Sequence, residues 1–463
     1  MRLAKETKTE LHAWDESQAI IDSNGRALEP SEAGEYAQLL WDDGFIAEAF
    51  RYSNERGDSI DAKRSLYDFF VEKAEGLFLD LPADLAKRKR QTFVQTASMW
   101  GAYIGSPVQR QSLKFFWLEE CIEGENPFVA ETYHKILDAV ARPALDRADI
   151  KLITKVTAVH MAGIDGYYQS RPRLETAGGD NYEFDELVIT TPLGWLKRNR
   201  HAFKPALSPR LSQAIESIGY GTLDKVYITF PAAFWDTPQP TTQSCINGVD
   251  PSGSTPNVTA TTVPLHQPSS QDEATHYPGF THWLAPTYAA STNPSGWDQQ
   301  GMNLAALPPS CAHPTLLFYI YGDCSKHIAD LVSTSTSDLE RDTKLLESFK
   351  PYYSRLPNYD SSNPACTPKA ILATAWANDE FAGFGSYSNF QVGLEKGDED
   401  IEVVRHGMPD RGLWFAGEHT APFIALGTST GAYWSGESVA KRILKAYRLH
   451  GQVDKGMDSG SAL

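Results

Sequence analysis

The C-terminal part of the chain constrains the fold most, because a strand, a turn and a glycine-rich helix start follow one another there. LWFA predicts a strand, residues 427–431 read GTSTG, and AYWSGESVAKRILKAY predicts an amphipathic helix that ends at about His450. The first backbone N–H groups of a helix have no partner within the helix, and its dipole favours negative charge there. This combination predicts a site that faces an anion.

GTSTG also matches G-x-S-x-G, the nucleophile elbow of serine hydrolases, with Ser429 as the nucleophile. In that fold an acid and a histidine follow the serine on later loops. The nearest candidates after Ser429 are Glu437 and His450, in or just after the same helix. A helix that leads away from the serine cannot fold its own side chains back onto it, so we expect Ser429 to act through its backbone amide.

The composition argues against several classes of protein. A formal net charge of −17 is not that of a nucleic-acid-binding protein. Five scattered cysteines without C-x-x-C spacing indicate neither a disulfide framework nor a zinc site, so we expect a reducing compartment and no metal. The charged start and the lack of a long apolar run predict no membrane span and a cytoplasmic location. The C-terminal Ser-Ala-Leu only weakly resembles the peroxisomal signal Ser-Lys-Leu.

The pattern along the chain predicts a mixed α/β (α+β) protein. The first 135 residues carry apolar residues at helical spacing, including one helix over residues 31–52, and short β-branched strands begin near residue 150. LDKVYITF alternates, so Val226 and Ile228 point to one face and Lys225 to the other. Residues 236–279 are rich in Pro, Ser and Thr and predict a surface insertion.

LWFAGEHT, followed by GTSTGAYWSGESVAKRIL, resembles the C-terminal flavin-binding signature of the flavin-dependent amine oxidases, which include polyamine oxidases, monoamine oxidases and lysine-specific histone demethylases. GTLDKVYITFPAAFW resembles the family's lysine-bearing strand, TAWANDEFAGFGSYS its substrate-cage segment, and KLITKVTAVH and ELVITTPLGWLK its middle flavin-binding strands. The resemblance implies two discontinuous domains: a Rossmann-like FAD domain from residues 129–200 and 391–463, and a substrate domain of helices and a mixed sheet from residues 1–128 and 201–390.

The resemblance also implies FAD as the cofactor and assigns residues to it. The glutamate of the Gly-Glu-His-Thr turn hydrogen-bonds the ribityl hydroxyls in the family, and the amides of the following helix start face the flavin. The backbone of a valine holds the adenine, and a Thr-Pro turn at residues 191–192 passes near the cofactor. The implied cofactor-binding residues are Val156, Pro192, Trp376, Gly417, Glu418, Thr428 and Ser429.

For the substrate side, the resemblance assigns Lys225 to a position that holds a water against flavin N5 and supports reoxidation or imine hydrolysis. Tyr387 matches one aromatic wall of the family's substrate cage. Thr428 matches the opposite wall, where several relatives carry tyrosine, which implies a half-open cage. Trp376 would lie near the flavin ring, with a core aromatic as the alternative.

The implied reaction is oxidation of a small-molecule amine to an imine, with O₂ reduced to H₂O₂. Two alternatives stay open: a non-catalytic relative that cannot hold FAD, and an oxidase of an amino acid or a pathway-specific amine. The acidic cluster Glu119, Glu120, Glu123 and Glu125 could attract a polyamine, but a solvated loop is the favoured interpretation. The oligomeric state is left open.

The sequence departs from the family at the dinucleotide-binding motif. The family begins with a strand, G-x-G-x-x-G and a helix that bind the pyrophosphate. This sequence has no such motif, and Glu131-Thr132 replaces the family's Gly-Gly. We therefore expect an incomplete Rossmann-like domain and poor FAD binding, either because an upstream segment is missing from the gene model or because the gene is a truncated remnant.

Overall fold

A computed structural model describes residues 2–41, 43–119, 126–130, 132–165, 168–169, 171–236 and 276–448. The predicted surface insertion over residues 236–279 lies almost entirely outside the described residues, and so do Glu120, Glu123 and Glu125.

The α-helices of the described residues, in chain order, are α1 (Arg2–Glu6), α2 (Pro30–Leu40), α3 (Phe45–Arg56), α4 (Leu66–Ala74), α5 (Ala83–Ser98), α6 (Gly101–Ile104), α7 (His134–Leu145), α8 (Leu193–Arg198), α9 (Pro209–Ser217), α10 (Gly322–Thr334), α11 (Asp338–Tyr353), α12 (Gly397–His406) and α13 (Ser429–Ala446). 

The strands are β1 (Leu11–His12), β2 (Gln18–Ile21), β3 (Phe128–Val129), β4 (Val156–His160), β5 (Ile164–Asp165), β6 (Tyr168–Gln169), β7 (Arg173–Thr176), β8 (Asn181–Glu183), β9 (Leu187–Ile189), β10 (Phe203–Lys204), β11 (Gly219–Tyr220), β12 (Leu223–Thr229), β13 (Phe280–Trp283), β14 (Gln299–Asn303), β15 (Thr315–Tyr321), β16 (Ala370–Ala373), β17 (Ser388–Asn389) and β18 (Leu413–Phe415).

A six-stranded sheet in the order β16-β12-β15-β14-β13-β2 forms the largest β structure. Its strands are antiparallel except that β2 runs parallel to β13. The predicted alternation of β12 is confirmed, because Val226 and Ile228 are fully buried whereas Lys225 is not. One face of the sheet packs against α10 and α11 through Phe318 and Phe349, and this apolar core fixes the strand that carries Lys225.

The N-terminal helices α2 to α5 form a second core around Tyr36, Phe70 and Phe93. The single helix predicted over residues 31–52 is wrong, because α2 ends at Leu40 and α3 begins at Phe45. At Gly44 a Cβ atom would stand 2.2 Å from the Leu39 carbonyl oxygen, so only a glycine allows the chain to turn back there. No sequence pattern indicated that β2 joins the large sheet.

The third core lies around the parallel pair β9–β18 and the helices α8, α9 and α12, with Leu187, Leu413 and Phe415 among its members. Helix α13 packs over β18, where Val439 meets Trp414 and Ala416. Beside this core, a four-stranded sheet has the order β10-β4-β7-β8. The strand predicted over residues 151–160 starts only at Val156.

Residues 132–155, called the α7 segment below, are different from all three cores. They comprise α7 and the extended stretch that leads to β4, and no residue of the segment is buried. Leu137 is 64% exposed and Leu152 is 80% exposed. The apolar side chains of this segment are therefore left partly or mostly exposed.

Candidate active site

The carboxyl ends of β9 and β18 bring two predicted cofactor turns to one edge. The amide of Ala416, just after β18, donates to the carbonyl of Ile189 at the end of β9 (3.0 Å). Beyond these residues, one strand leads into Pro192 and the other into Gly417. Ligands of parallel sheets bind outside such carboxyl ends, so this edge is where a cofactor is expected.

Gly417 has φ +149° and donates its amide to Ser435 Oγ of α13 (2.8 Å). A Cβ atom at Gly417 would stand 2.8 Å from His419 Cε1, so the turn needs glycine. Burial lowers the pKa of His419 to about 4, which keeps its ring neutral beneath the turn. The turn is thus built tightly onto the first turns of α13.

Glu418 links three parts of the site. Its Oε1 accepts from the Ser388 amide (3.0 Å), its Oε2 accepts from the Ser388 hydroxyl (2.6 Å), and the Gly427 amide also donates to the carboxylate. Burial raises its pKa, and these hydrogen bonds oppose that shift. Glu418 therefore lies between the residue after Tyr387 and the start of α13.

Helix α13 begins at Ser429, and Thr428 is its N-cap. Thr428 Oγ1 accepts from the Gly431 amide (2.9 Å) and donates to the Ala425 carbonyl (2.8 Å). The amides of Ser429 and Thr430 have no acceptor among the described residues. They are available to an acceptor atom of a ligand at the positive end of the helix.

The structure does not form a nucleophile elbow at Ser429. That elbow needs a strand running directly into the helix, but PFIAL forms a 3-10 turn over Phe423–Ala425. Glu437 lies in α13 itself, and His450 lies outside the described residues.

Tyr387 lies beside this edge, and Tyr319 of the large sheet connects it with Lys225. Lys225 Nζ lies 5.0 Å from the ring centroid of Tyr319, its partner across β12 and β15. The Tyr387 hydroxyl donates to the Tyr103 carbonyl. Burial raises the pKa of Tyr387, and the nearby Glu119, Tyr319 and Glu418 raise it further, so these side chains share one interior region.

Tyr103 extends this region as an aromatic wall. Its ring centroid lies 5.6 Å from that of Trp41 and 5.5 Å from that of Trp100. Tyr103 is 40% exposed; its partial burial raises the pKa of its hydroxyl, and a side-chain hydrogen bond with Gln300 of β14 opposes the rise. Sequence reasoning missed Tyr103 and Tyr319, because a tyrosine in a predicted helix or strand gives no sign of the surface it faces.

For Glu119, the member of the acidic cluster that lies within the described residues, the interpretation as a solvated side chain is wrong. Its Oε1 is buried, and burial raises the pKa of this carboxyl to about 8, with a further contribution from Glu418. The reason is the short 3-10 helix Phe116–Glu119, whose Phe116 and Leu118 are buried and carry the glutamate inward. This apolar spacing was the signal in the sequence that could have placed Glu119 inside.

Trp376 begins the 3-10 turn Trp376–Asn378 and is 48% exposed, so the alternative of a core aromatic is wrong.

Val156 lies away from these residues, because it belongs to a different sheet from Lys225. It lines a cavity of about 340 Å³ together with Trp195, Phe381 and Phe384. The structure therefore places Val156 beside an aromatic cavity rather than within the Glu418 and Tyr387 contacts.

The residues present fit the flavin and ribityl part of FAD. Two unpartnered amides stand at the start of α13, and the Thr191 hydroxyl is buried without a hydrogen-bond partner at the β9 turn. At Gly427 (φ +69°) the nearest atom to an added Cβ would be 3.6 Å away on Tyr387, which leaves space beside that ring. For the pyrophosphate, the described residues offer no glycine-rich strand-to-helix turn of the G-x-G-x-x-G type.

Within the part of the chain that the structure describes, no group of three or more His, Cys, Asp or Glu side chains could hold a metal ion. No helix in that part is both long and apolar enough to cross a membrane.

Comparisons with known proteins agree with the motifs. The family model for flavin containing amine oxidoreductases matches residues 21–444. Probable polyamine oxidase 4 of Arabidopsis thaliana is 29% identical over 431 residues, which cover 92% of this chain and 68% of that protein. Lysine-specific histone demethylase 1 homolog 1 of the same plant is 26% identical over 282 residues, which cover 61% of this chain but 26% of that protein.

Among solved structures, a mutant of putrescine oxidase with redesigned cofactor binding superimposes with a TM-score of 0.60 at 13% identity, over 96% of this chain and 85% of that one. This likeness confirms the predicted mixed fold of helices and sheets. The resemblance drawn from the motifs is confirmed as well: the chain belongs to the flavin containing amine oxidoreductase family, whose cofactor is FAD.

Proposed function

We propose that this chain oxidises a small-molecule amine to an imine and passes the electrons to O₂, which is reduced to H₂O₂. The observation that carries the proposal is the series of neighbours that leads from Glu418, outside β9 and β18, through Tyr387 to Tyr319 and Lys225. FAD, when bound there, supplies the acceptor for a hydride from the α-carbon of the amine. The residues of the chain then have to bind the amine, orient it and hold the water that hydrolyses the imine.

Tyr387 would bind the substrate nitrogen through its ring face, because an aromatic ring attracts a cation within about 6 Å of its centroid. The hydrogen bond from its hydroxyl to Tyr103 and the bonds from Ser388 to Glu418 hold the ring on both sides. On the opposite side, Thr428 uses its hydroxyl to cap α13, so only its methyl group is free to face a substrate. This supports the half-open cage.

Lys225 would hold the water that hydrolyses the imine or assists reoxidation. Its neighbours in β12 are buried in the core of the large sheet, so its backbone is fixed. Its ammonium lies above the Tyr319 ring rather than in a carboxylate pair. It thus has hydrogen-bond donors left for a water molecule.

Glu119 would recognise the ammonium form of the substrate. With a pKa of about 8, the carboxyl is largely protonated at neutral pH, and an arriving cation favours its charged form. Once an arriving cation has charged Glu119, its carboxylate disfavours a substrate that carries a carboxylate of its own. It therefore favours a polyamine or simple amine over an amino acid.

A direct test is the absorbance spectrum of the purified chain, followed by anaerobic addition of a polyamine. We expect flavin absorbance that the amine bleaches, and peroxide release from an amine panel in air. An amino acid that outperforms every amine in that panel would support the pathway-specific alternative.

The second candidate is a non-catalytic relative, which the exposed α7 segment favours, because that segment buries no side chain. A folded, colourless protein that neither takes up added FAD nor releases peroxide would support it. Addition of FAD to the purified chain followed by gel filtration separates the candidates, since a bound flavin co-elutes with the protein.

A further inference from the structure

Asp224 is a carboxylate within an apolar row. It precedes Lys225 in β12, so its side chain points to the opposite face, the face that buries Val226 and Ile228. Its exposed fraction is 0%. A charge on such a face is costly unless hydrogen bonds satisfy it.

Four donors meet this carboxylate. Oδ1 accepts from the Thr374 hydroxyl (2.6 Å) and the Trp376 amide (2.8 Å). Oδ2 accepts from the Ser325 hydroxyl (2.7 Å) and the Ala377 amide (3.4 Å). None of the four donors is a cation, and two of them are the first amides of the 3-10 turn Trp376–Asn378. Asp224 therefore caps that turn from a different element.

Thr374 completes a clamp between the two elements. Its amide donates to the Lys225 carbonyl (2.9 Å), and its hydroxyl accepts from the Lys225 amide (2.9 Å) while donating to Asp224. The backbones on both sides of the clamp carry predicted site residues, Lys225 on one and Trp376 on the other. The half-exposed indole of Trp376 has no comparable anchor in a core.

We propose that Asp224 is a positioning residue, which fixes the Trp376 turn against β12 and so sets where Trp376 lies relative to Lys225. The functional part of this inference rests on the proposed amine oxidation; the structural part does not. Ser325 adds the start of α10 to the same anchor, so three elements are held by one carboxylate.

The structural part is tested by hydrogen exchange with mass spectrometry on the purified chain, comparing peptides over residues 370–381. In Asp224→Ala the amides of Trp376 and Ala377 should exchange faster than in the unmodified chain. Asp224→Asn should show a smaller effect, because its carbonyl oxygen can keep the bonds to Thr374 and Trp376. Unchanged exchange in Asp224→Ala would overturn the proposal.

A matched control is Asn303→Ala in β14 of the same sheet. Asn303 is 3% exposed and accepts from Trp235 Nε1 (2.9 Å) and the Ala305 amide (3.0 Å), so it too anchors a buried polar network. This variant should lose stability without faster exchange over residues 370–381. If it loosens that segment as much as Asp224→Ala does, the anchor is not specific and the proposal fails.

In the flavin-loaded protein, Asp224→Ala should lower kcat for the amine about tenfold to a hundredfold, as a misplaced catalytic group does, with KM little changed. Asp224→Asn should restore most of the loss, and Asn303→Ala should leave kcat unchanged. Equal kcat in Asp224→Ala and Asn303→Ala would refute the functional part. If the unmodified chain oxidises no amine, the proposed function fails, and the exchange data still decide whether Asp224 anchors the turn.

Discussion

The six-stranded sheet and the α7 segment both carry apolar residues at regular spacing. The sheet buries its apolar side chains, whereas the α7 segment leaves its own exposed. In the sheet, Val226 and Phe318 are fully buried, whereas residues 132–155 include no buried residue. Helix α7 nevertheless carries Ile136, Leu137 and Val140 at helical spacing, as a helix does that packs against a core. Periodicity thus selects the helix, but a second surface has to bury its apolar face.

The candidate site likewise has two parts that differ in how firmly the surrounding strands hold them. Lys225 and Tyr319 stand on strands of the large sheet, whose register is fixed by neighbours on both sides. Gly417 and Glu418 follow β18, which pairs with the short strand β9 and, at Leu413, with Met408 in a single bridge. Binding of a ligand stabilises the elements it contacts, so we expect FAD to matter more for the β9–β18 side than for the Lys225 side.

The strongest contrast is expected in stability. Phe349→Ala removes a ring that is 2% exposed and packs on Phe318 with ring centroids 4.8 Å apart. It should lower the free energy of unfolding by about 3–5 kcal/mol. Leu137→Ala in α7 should change it by less than about 0.5 kcal/mol, because the side chain is mostly exposed. Urea unfolding measures both, and similar losses would show that α7 is packed in solution.

The second contrast concerns catalysis. Lys225→Met keeps the length of the side chain and its contact with Tyr319 but removes the donor for a water molecule. Turnover in the flavin-loaded protein should fall about 100-fold, the scale of a lost proton-handling group. Lys326→Met serves as the control, because that lysine is half exposed and pairs with Asp323. Equal turnover in the Lys225 variant and the unmodified protein would rule out the proposed role.

The third contrast is pH dependence. Burial raises the pKa of Glu119 from 4.5 to about 8, so between these values the folded chain binds a proton that the unfolded chain has released. This group therefore makes the free energy of unfolding fall as pH rises toward 8. His419 and His282, whose pKa values burial lowers to about 4, act in the opposite direction below pH 6.5, whereas Glu418, whose pKa burial also raises, acts in the same direction as Glu119. The window from pH 6.5 to 8 therefore avoids the two histidines, and substitution of Glu119 separates its contribution from that of Glu418. Glu119→Gln should flatten the slope there, measured by urea unfolding.

A Glu119→Gln variant that keeps the unmodified slope would place the carboxyl in water. The same variant should raise KM for an amine if Glu119 recognises the ammonium. A raised Ki for a neutral competitive inhibitor as well would indicate a general loss of packing rather than loss of charge recognition.

The sequence predicted the features that depend on local pattern. The alternation of β12 and a helix that begins within GTSTG both follow from neighbouring residues. The clamp at Asp224 could not be predicted, because its donors Ser325 and Thr374 are about 100 and 150 residues away along the chain. The spacing of Phe116 and Leu118 could have indicated that Glu119 turns inward, but the groups that act on its carboxyl, the Phe390 backbone and Glu418, come from distant segments and could not be predicted.

The smallest expected effect concerns Thr428. The family resemblance implies that it is a wall of the substrate cage, whereas the geometry makes it the N-cap of α13. As N-cap of α13, its hydroxyl satisfies the Gly431 amide, so Thr428→Ala should lower the free energy of unfolding by about 1 kcal/mol. Thr428→Ser keeps the hydroxyl, so its free energy of unfolding should fall by less. If the methyl group instead forms a wall of the cage, Thr428→Ser and Thr428→Ala would both raise KM for the amine, the first without loss of stability. Urea unfolding together with KM for the pair of variants therefore separates the capping role from contact with the substrate.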